Sequence, residues 1–451
     1  MDLRGKTAIV IGLGRSGVAA ASLLLSRGAR VIASDAAPRE KLSAAAIALE
    51  QRGAEIVAGG HPDAIFARAD LVVISPGVPS FPALDAFERS GREVIGEMEL
   101  ASRLVTAPIA LIGGTNGKST TTALVGEMLR AAGKKTFVGG NFGQPLAEVV
   151  GEPWDVIVLE ISSFQAERVP TLHAKVHALL NVTDDHLDRY ASFDAYADAK
   201  GNPFVNMTPA DAAVIPHGDA LCAKQAARGG ARVVTFSATD ESATVRPFGD
   251  YVVDRDGWHR IPLDAVKIPG RHNLANVCAA LAVAAELGVP FDDGPGSAFE
   301  RAVRGFRGLD HRTVLVGEIG GVRWYDDSKG TNVGASVTAL LGLDEPRAVL
   351  IAGGRDKLGD YAPLVDALRD KGRALVLIGE AADRIEAAAR GAAPIRRAGS
   401  MDEAVRIARE FALPGDAVLL SPACSSFDMF RDYKERGDVF ARAVRELEAA
   451  S

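Results

Sequence analysis

The chain has 451 residues, 47% of them hydrophobic and 24% charged, with a formal net charge of -7. That composition excludes a disordered chain, and the length predicts about three domains. The acidic balance excludes nucleic acid and anionic membrane surfaces as general partners, so an anionic substrate needs a local basic site.

Short β-branched runs alternate with Ala/Leu-rich helical stretches almost throughout, which predicts an α/β protein with largely parallel sheets. Ala8-Ile11, Val31-Ser34 and Leu71-Ser75 are strands of a first unit, with a boundary near Glu93-Gly96 and a connecting helix from Glu97 to Val105. Ile109-Ile112, Val156-Glu160 and Val176-Leu180 are strands of a second unit. Its stretch from Thr244 to Ile268 is hairpin-like, with Asp256-Gly257 as a turn signal, and a helix begins near Asn273. Gly305 to Asp310 is a hinge candidate. Beyond it, Val349-Ala352, Leu375-Ile378 and Val418-Leu420 mark another open sheet. The expected units are residues 1–96, 97–308 and 309–451. Cys222, Cys278 and Cys424 make neither a disulfide framework nor a metal-spaced cluster. No signal-peptide core precedes the first glycine turn and no apolar run approaches about 18 residues, so a cytoplasmic protein without membrane insertion is expected.

Two glycine turns carry the chemistry. Gly12-Leu13-Gly14-Arg15-Ser16-Gly17 follows a strand and opens a helix, and Asp35 ends the next strand at the spacing of a ribose-binding acid. Such a turn lets backbone N–H groups approach a diphosphate, whether of a dinucleotide or of a UDP-sugar. Gly113-Gly114-Thr115-Asn116-Gly117-Lys118-Ser119-Thr120 lies between a strand and a helix. Ile112 stands where the full Walker spacing has its first glycine. The shortened loop still offers an anion nest, a lysine for β/γ charge and a serine hydroxyl for Mg²⁺. Strand-end Glu160 and His186 of Asn181-Val182-Thr183-Asp184-Asp185-His186-Leu187-Asp188 fall on the same sheet edge, placed to meet Mg²⁺ near Ser119. A dehydrogenase using Gly12 to Asp35 leaves Lys118, Glu160 and His186 idle. An ATP-driven switch leaves the first turn unexplained. Both remain open at this point.

Together these segments resemble the Mur ligases, three-domain enzymes that build the peptide stem of bacterial peptidoglycan. Further matching segments are Gly270-Arg271-His272-Asn273, Asp310-His311-Arg312, Asp326-Asp327-Ser328-Lys329-Gly330-Thr331-Asn332, Gly353-Gly354-Arg355-Asp356-Lys357 and Leu420-Ser421-Pro422-Ala423-Cys424-Ser425-Ser426-Phe427-Asp428. The resemblance spans about residues 5 to 445 and is strongest to the D-glutamate-adding branch. The Asp-Asn-Pro-Arg motif of the diaminopimelate- and lysine-adding branches is absent. A folylpolyglutamate synthetase is the nearest rival, but a pteridine substrate leaves the first glycine-rich unit unexplained.

The resemblance implies a Rossmann-like N-terminal domain, a P-loop-type central ATPase domain and a Rossmann-like C-terminal domain. It implies a monomer that uses ATP and two Mg²⁺ ions to join D-glutamate to UDP-N-acetylmuramoyl-L-alanine through an acyl-phosphate. Gly14, Arg15, Ser16, Asp35, Gly77, Asn141 and His186 would then hold the UDP-substrate. Gly114 to Thr120, Asn273, Arg312 and Asp327 would hold ATP. Lys329, Thr331, Lys357, Ser426 and Phe427 would surround D-glutamate, and Tyr433 falls near a family aromatic. Ser119, Glu160, His186 and a carbamate on Lys200 would hold the metal ions, with Lys118, Glu160, His186 and Lys200 catalytic. Gly201-Asn202-Pro203 departs from the helical continuation that the family pattern has after Lys200. ATP ligands on two domains imply closure upon substrate.

Overall fold

The computed structural model describes residues 1–186, 189–254, 257, 260–289, 296–357 and 359–449. Asp256 of the anticipated turn, and Leu187 and Asp188 of the acidic motif, lie outside the described residues.

The first sheet contains β1 (Thr7–Ile11), β2 (Arg30–Asp35), β3 (Glu55–Ala58), β4 (Leu71–Ile74) and β5 (Glu93–Gly96). Its order is β3-β2-β1-β4-β5, parallel throughout. The crossover reverses between β1 and β4, where an open sheet of this type leaves a ligand crevice at its carboxyl edge. Glu93–Gly96, read from sequence as a boundary, is the fifth strand of this sheet, and the connecting helix is shorter than expected, Glu97–Ser102.

The second sheet contains β6 (Ile109–Gly113), β7 (Thr136–Gly140), β8 (Val156–Glu160), β9 (Val176–Leu179), β10 (Ala212–Pro216) and β11 (Arg232–Phe236). Its order is β11-β10-β9-β6-β8-β7, again parallel. Every residue of β6 and β8 is buried, which explains their continuous apolar runs: helices cover both faces of a parallel sheet. A small antiparallel sheet follows, β12 (Arg246–Phe248), β13 (Tyr251–Val253) and β14 (Arg260–Pro262).

The third sheet contains β15 (Val314–Ile319), β16 (Val322–Asp326), β17 (Ala348–Gly353), β18 (Gly372–Ile378), β19 (Ile395–Arg397) and β20 (Ala417–Leu420). Its order is β15-β16-β20-β17-β18-β19, with only β15 antiparallel to its neighbour. The mixed α/β architecture with three open sheets is as the sequence predicts.

The cores show how these sheets are tied. One apolar cluster runs from Val10 and Leu24 through Met98 and Leu100 to Leu111 and Leu159, so the first two sheets share a core. The helix Glu97–Ser102 sits inside it. Fully buried Glu99 accepts hydrogen bonds from Leu172 N at 2.8 Å, Thr171 N at 3.2 Å, the Thr171 hydroxyl and Arg103 Nε at 2.6 Å. Glu97 accepts from Ala147 N at 2.6 Å. The third sheet keeps separate clusters on its two faces. It reaches the second through the segment 306–313, where His311 (φ 61°) and Thr313 (φ 52°) hold left-handed backbone. Strain of that kind persists only where the surroundings fix it.

Candidate active site

Four neighbouring strands of the central sheet deliver the site. β6 ends at the phosphate loop, β8 at Glu160, β7 just before Asn141, and β9 before the segment from Asn181 to His186. Gly117 caps the helix Lys118–Ala131 at φ 84°, and a Cβ there would stand 2.4 Å from Asn276 Oδ1. Only glycine meets both conditions. Asn181 Oδ1 accepts hydrogen bonds from Thr115 N at 3.1 Å and Asn116 N at 2.8 Å, fixing the loop from its neighbour strand. Lys118 Nζ donates to Gly114 O at 2.9 Å and Thr115 O at 2.7 Å. Burial lowers its pKa, an effect that Glu160 opposes.

Glu160 is 3% exposed. Its Oε2 accepts from the Ser119 hydroxyl at 2.5 Å and its Oε1 from Asn141 Nδ2 at 2.6 Å. Lys200, buried at the end of the helix Phe193–Gly201, donates to Gly114 O at 2.8 Å. Burial drives its pKa well below the usual lysine range, and the Lys118 charge adds to the effect. The unexpected Gly201 has a packing reason: a Cβ there would fall 2.1 Å from Gln225 Oε1 and 2.7 Å from Arg228 Nη1. The chain turns directly into a short 3₁₀ segment, Asn202–Phe204, and Lys200 still faces the phosphate loop.

Tyr196, one helical turn before Lys200, was not marked by sequence reasoning. Its hydroxyl lies 3.0 Å from Thr115 Oγ1 and its ring lies 4.6 Å from Lys200 Nζ. The i, i+4 spacing was the available signal. His186 adopts φ 56°, with its ring 4.8 Å from that of Phe164 and its Nε2 3.7 Å from Asp185 Oδ2. Burial opposes ionisation of Asp185, yet the charges of Lys357 and His186 hold its pKa below the ordinary value.

The third unit closes over this edge. Arg312 Nη2 donates to Ser119 Oγ at 2.7 Å, Asn332 Nδ2 to Asp185 Oδ2 at 3.1 Å, and Lys357 Nζ to Asp185 Oδ1 at 3.3 Å. The cleft between them, about 440 Å³, is lined by Gly77, Asn141, Glu160, His186, Lys200, Lys329, Thr331 and Lys357 together with the phosphate loop. An adjoining hollow of about 80 Å³ is lined by Asn116, Gly117, Thr120, Asn273, Arg312 and Asp327. Burial pushes the Asp327 carboxyl up to about 7, while Ser421 donates to it at 2.6 Å.

Other residues implied by the resemblance lie elsewhere in this structure. Ser426 is buried outside these cavities, and Phe427 is 62% exposed and lines neither. The ring of Tyr433 stands 4.0 Å from Lys329 Nζ. The Asp35 carboxylate accepts from Leu13 N at 2.6 Å and Ala37 N at 2.8 Å, bracing the first glycine turn. Gly14 caps the following helix and Ser16 is half-buried in its first turn, while Arg15 reaches across to Gly143 O at 2.7 Å in the central unit.

The profile of the Mur ligase MurD-like N-terminal domain matches residues 6–96, that of the Mur ligase middle domain 112–284, and that of the glutamate ligase domain 311–424. A UDP-N-acetylmuramoylalanine--D-glutamate ligase from Syntrophotalea carbinolica is 47% identical over 452 residues, covering 99% of each chain. The chain belongs to the Mur ligase family. The likewise named enzyme of Geobacter metallireducens is 45% identical over 459 residues, with 99% of each chain covered. The Mur ligase fold is matched by a pseudomurein peptide ligase type C from Methanothermus fervidus, at TM-score 0.63 and 17% identity, covering 98% of this chain and 100% of that one. A MurF ligase from Thermotoga maritima in complex with ADP matches at TM-score 0.61 and 15% identity, with 99% of each covered.

Proposed function

We infer that the chain is an ATP-dependent ligase that adds D-glutamate to UDP-N-acetylmuramoyl-L-alanine through an acyl-phosphate. The observation that carries this reading is one cavity at which a phosphate loop, a buried carboxylate and cationic residues from two sheets converge, in a full-length relative of enzymes named for that reaction. We propose the division at 96/97 and 308/309, with the UDP-substrate along Gly14, Arg15, Ser16, Asp35, Gly77, Asn141 and His186. ATP lies along Gly114 to Thr120, Asn273, Arg312 and Asp327.

The reaction brings a carboxylate to a triphosphate, both anionic, so the residues must supply positive charge and exclude water. Lys118 and Arg312 flank the Ser119 end of the phosphate loop for that purpose. The substrate carboxylate oxygen attacks the γ-phosphorus, ADP leaves, and the D-glutamate amine then displaces phosphate from the acyl carbon. Thr331 and Lys357 face the same cavity and suit the carboxylates of the amino acid.

The donor set fits Mg²⁺. Glu160 is a buried carboxylate whose described hydrogen-bond donors, Ser119 and Asn141, are both neutral, and it opens on the cavity with His186. Phosphate oxygens and water would complete the shell of such an ion. Lys200 fits carbamate formation, because burial favours its neutral amine, the form that can bond carbon dioxide and release a proton. Ser119, Glu160, His186 and carbamylated Lys200 would hold the ions, which supply charge that offsets repulsion between the two anionic reactants.

The test is phosphate release from ATP with UDP-N-acetylmuramoyl-L-alanine, offering D-glutamate, L-glutamate, L-lysine and diaminopimelate separately. Release specific to D-glutamate, with a new amide by mass spectrometry, is expected. Equal release with any of the other three would refute the D-glutamate assignment.

A further inference from the structure

Four lysines line the catalytic cavity: Lys118, Lys200, Lys329 and Lys357. Three are tied to oxygen acceptors. Lys118 is held by two carbonyls of the phosphate loop, Lys200 by Gly114 O, and Lys357 by the Asp185 carboxylate. Among the described residues Lys329 has no carboxylate or carbonyl acceptor for its ε-amine, which lies 4.0 Å from the centre of the Tyr433 ring. Its backbone is nonetheless firmly fixed. Lys329 N donates to His311 O at 3.0 Å, and fully buried Arg436 donates to Ser328 O at 2.9 Å and Ser328 Oγ at 3.0 Å. A rigidly mounted, uncommitted amine therefore faces the reaction cavity.

The second half of the reaction has an unmet need. Free D-glutamate carries its nitrogen as an ammonium, which has no lone pair with which to attack the acyl carbon. We propose that Lys329 accepts that proton. The assignment rests on the ligase reading above and adds a role that the reading leaves open. The neutral Lys329 amine takes one proton from the ammonium. The freed nitrogen bonds the acyl carbon as the bond from carbon to the phosphate oxygen breaks. The departing phosphate takes the second nitrogen proton, giving amide and hydrogen phosphate, and Lys329 returns its proton to solvent.

The surroundings favour a neutral amine near working pH. Burial lowers the Lys329 pKa to about 8, helped by the cations Arg312, Lys118 and Lys357 and opposed by Glu160. Those groups come from the hinge segment, the phosphate loop, the loop after β17 and the end of β8, while Tyr433 covers the remaining side and Asp327 precedes it by two residues in sequence. A general base is most effective when its pKa lies near the operating pH.

The experiment separates the two half-reactions. Hydroxylamine, unprotonated at neutral pH, replaces D-glutamate as a nucleophile that needs no base, and the product read is the hydroxamate. Lys329→Arg keeps the charge but does not release a proton at working pH. Its amide formation is expected to fall by about 10²- to 10⁴-fold in kcat, with hydroxamate formation retained and the residual amide rate climbing with pH. In the unaltered protein, amide formation should show an inflection near pH 8 that hydroxamate formation lacks, a readout independent of any variant's folding. Retained amide kcat with only a raised KM for D-glutamate would make Lys329 a carboxylate contact and overturn the proposal, as would equal pH profiles for the two nucleophiles. Absence of hydroxamate from the unaltered protein would instead remove the ligase reading, and this assignment with it.

Discussion

Glu97 offers a quantitative check on how the first two sheets are joined. Its carboxyl is 3% exposed, with Ala147 N donating to it at 2.6 Å. Burial raises its pKa from 4.5 to about 7; the Ala147 hydrogen bond opposes the rise and the Glu148 charge adds to it. Below pH 4.5 both folded and unfolded chains carry the proton, and the group has no effect on stability. As pH rises, the unfolded chain releases its proton first, so folding loses free energy until the folded-state pKa is passed. The loss is under about 1 kcal/mol at pH 5 and roughly 3 kcal/mol at pH 8. Glu97→Gln preserves the acceptor for Ala147 and removes the ionisation. It should match the parent closely in urea unfolding at pH 5 and exceed it by roughly 3 kcal/mol at pH 8. A stability gap that fails to widen between these two pH values would refute the argument that this carboxyl is buried at the seam.

Other outcomes follow from the same geometry. Glu99→Ala strands the Thr171 and Leu172 backbone donors at the seam while Arg103 keeps Glu93, and urea unfolding should register a loss of about 1–3 kcal/mol per stranded donor. Lys200→Ala should abolish amide formation while leaving the circular dichroism spectrum intact; full activity would sink the metal-ligand role. Gly201→Ala forces its Cβ onto Gln225 and Arg228, and should lower both the melting temperature and the rate. Tyr196→Phe removes one hydrogen bond to Thr115 and should cost about 1 kcal/mol in denaturant titration, with the fold unchanged.

What the sequence disclosed was local. The buried runs of β1, β6, β8 and β17 are visible because both faces of each strand are covered. β11 and β19 are half-polar edge strands that repeat no such signal. The phosphate loop, Glu160 and Lys200 could be named from spacing and resemblance, and the structure brings them together. Partners set by the fold were not legible: Arg312 meets Ser119 across 193 residues, and Asn332 meets Asp185 across 147. Phe427 and Tyr433 show the same limit at short range, since the turn into the last helix decides which aromatic reaches Lys329.

The arrangement of cores bears on how the site works. A shared apolar cluster and the Glu99 staple make the first two sheets one mechanical unit, so the first glycine turn and the phosphate loop keep a fixed separation. The third sheet contributes none of its side chains to that cluster and touches the site through polar contacts: Arg312 to Ser119, and Asn332 and Lys357 to Asp185. Part-buried polar contacts of this kind contribute about 0.5–3 kcal/mol each, less than a shared apolar core. Motion between units is therefore cheapest at the seam with the third sheet. That seam carries Arg312 and Lys329 on one side and Ser119 and Glu160 on the other. Opening it separates the groups needed for phosphate transfer and amide formation together, whereas the first glycine turn keeps its distance from the phosphate loop.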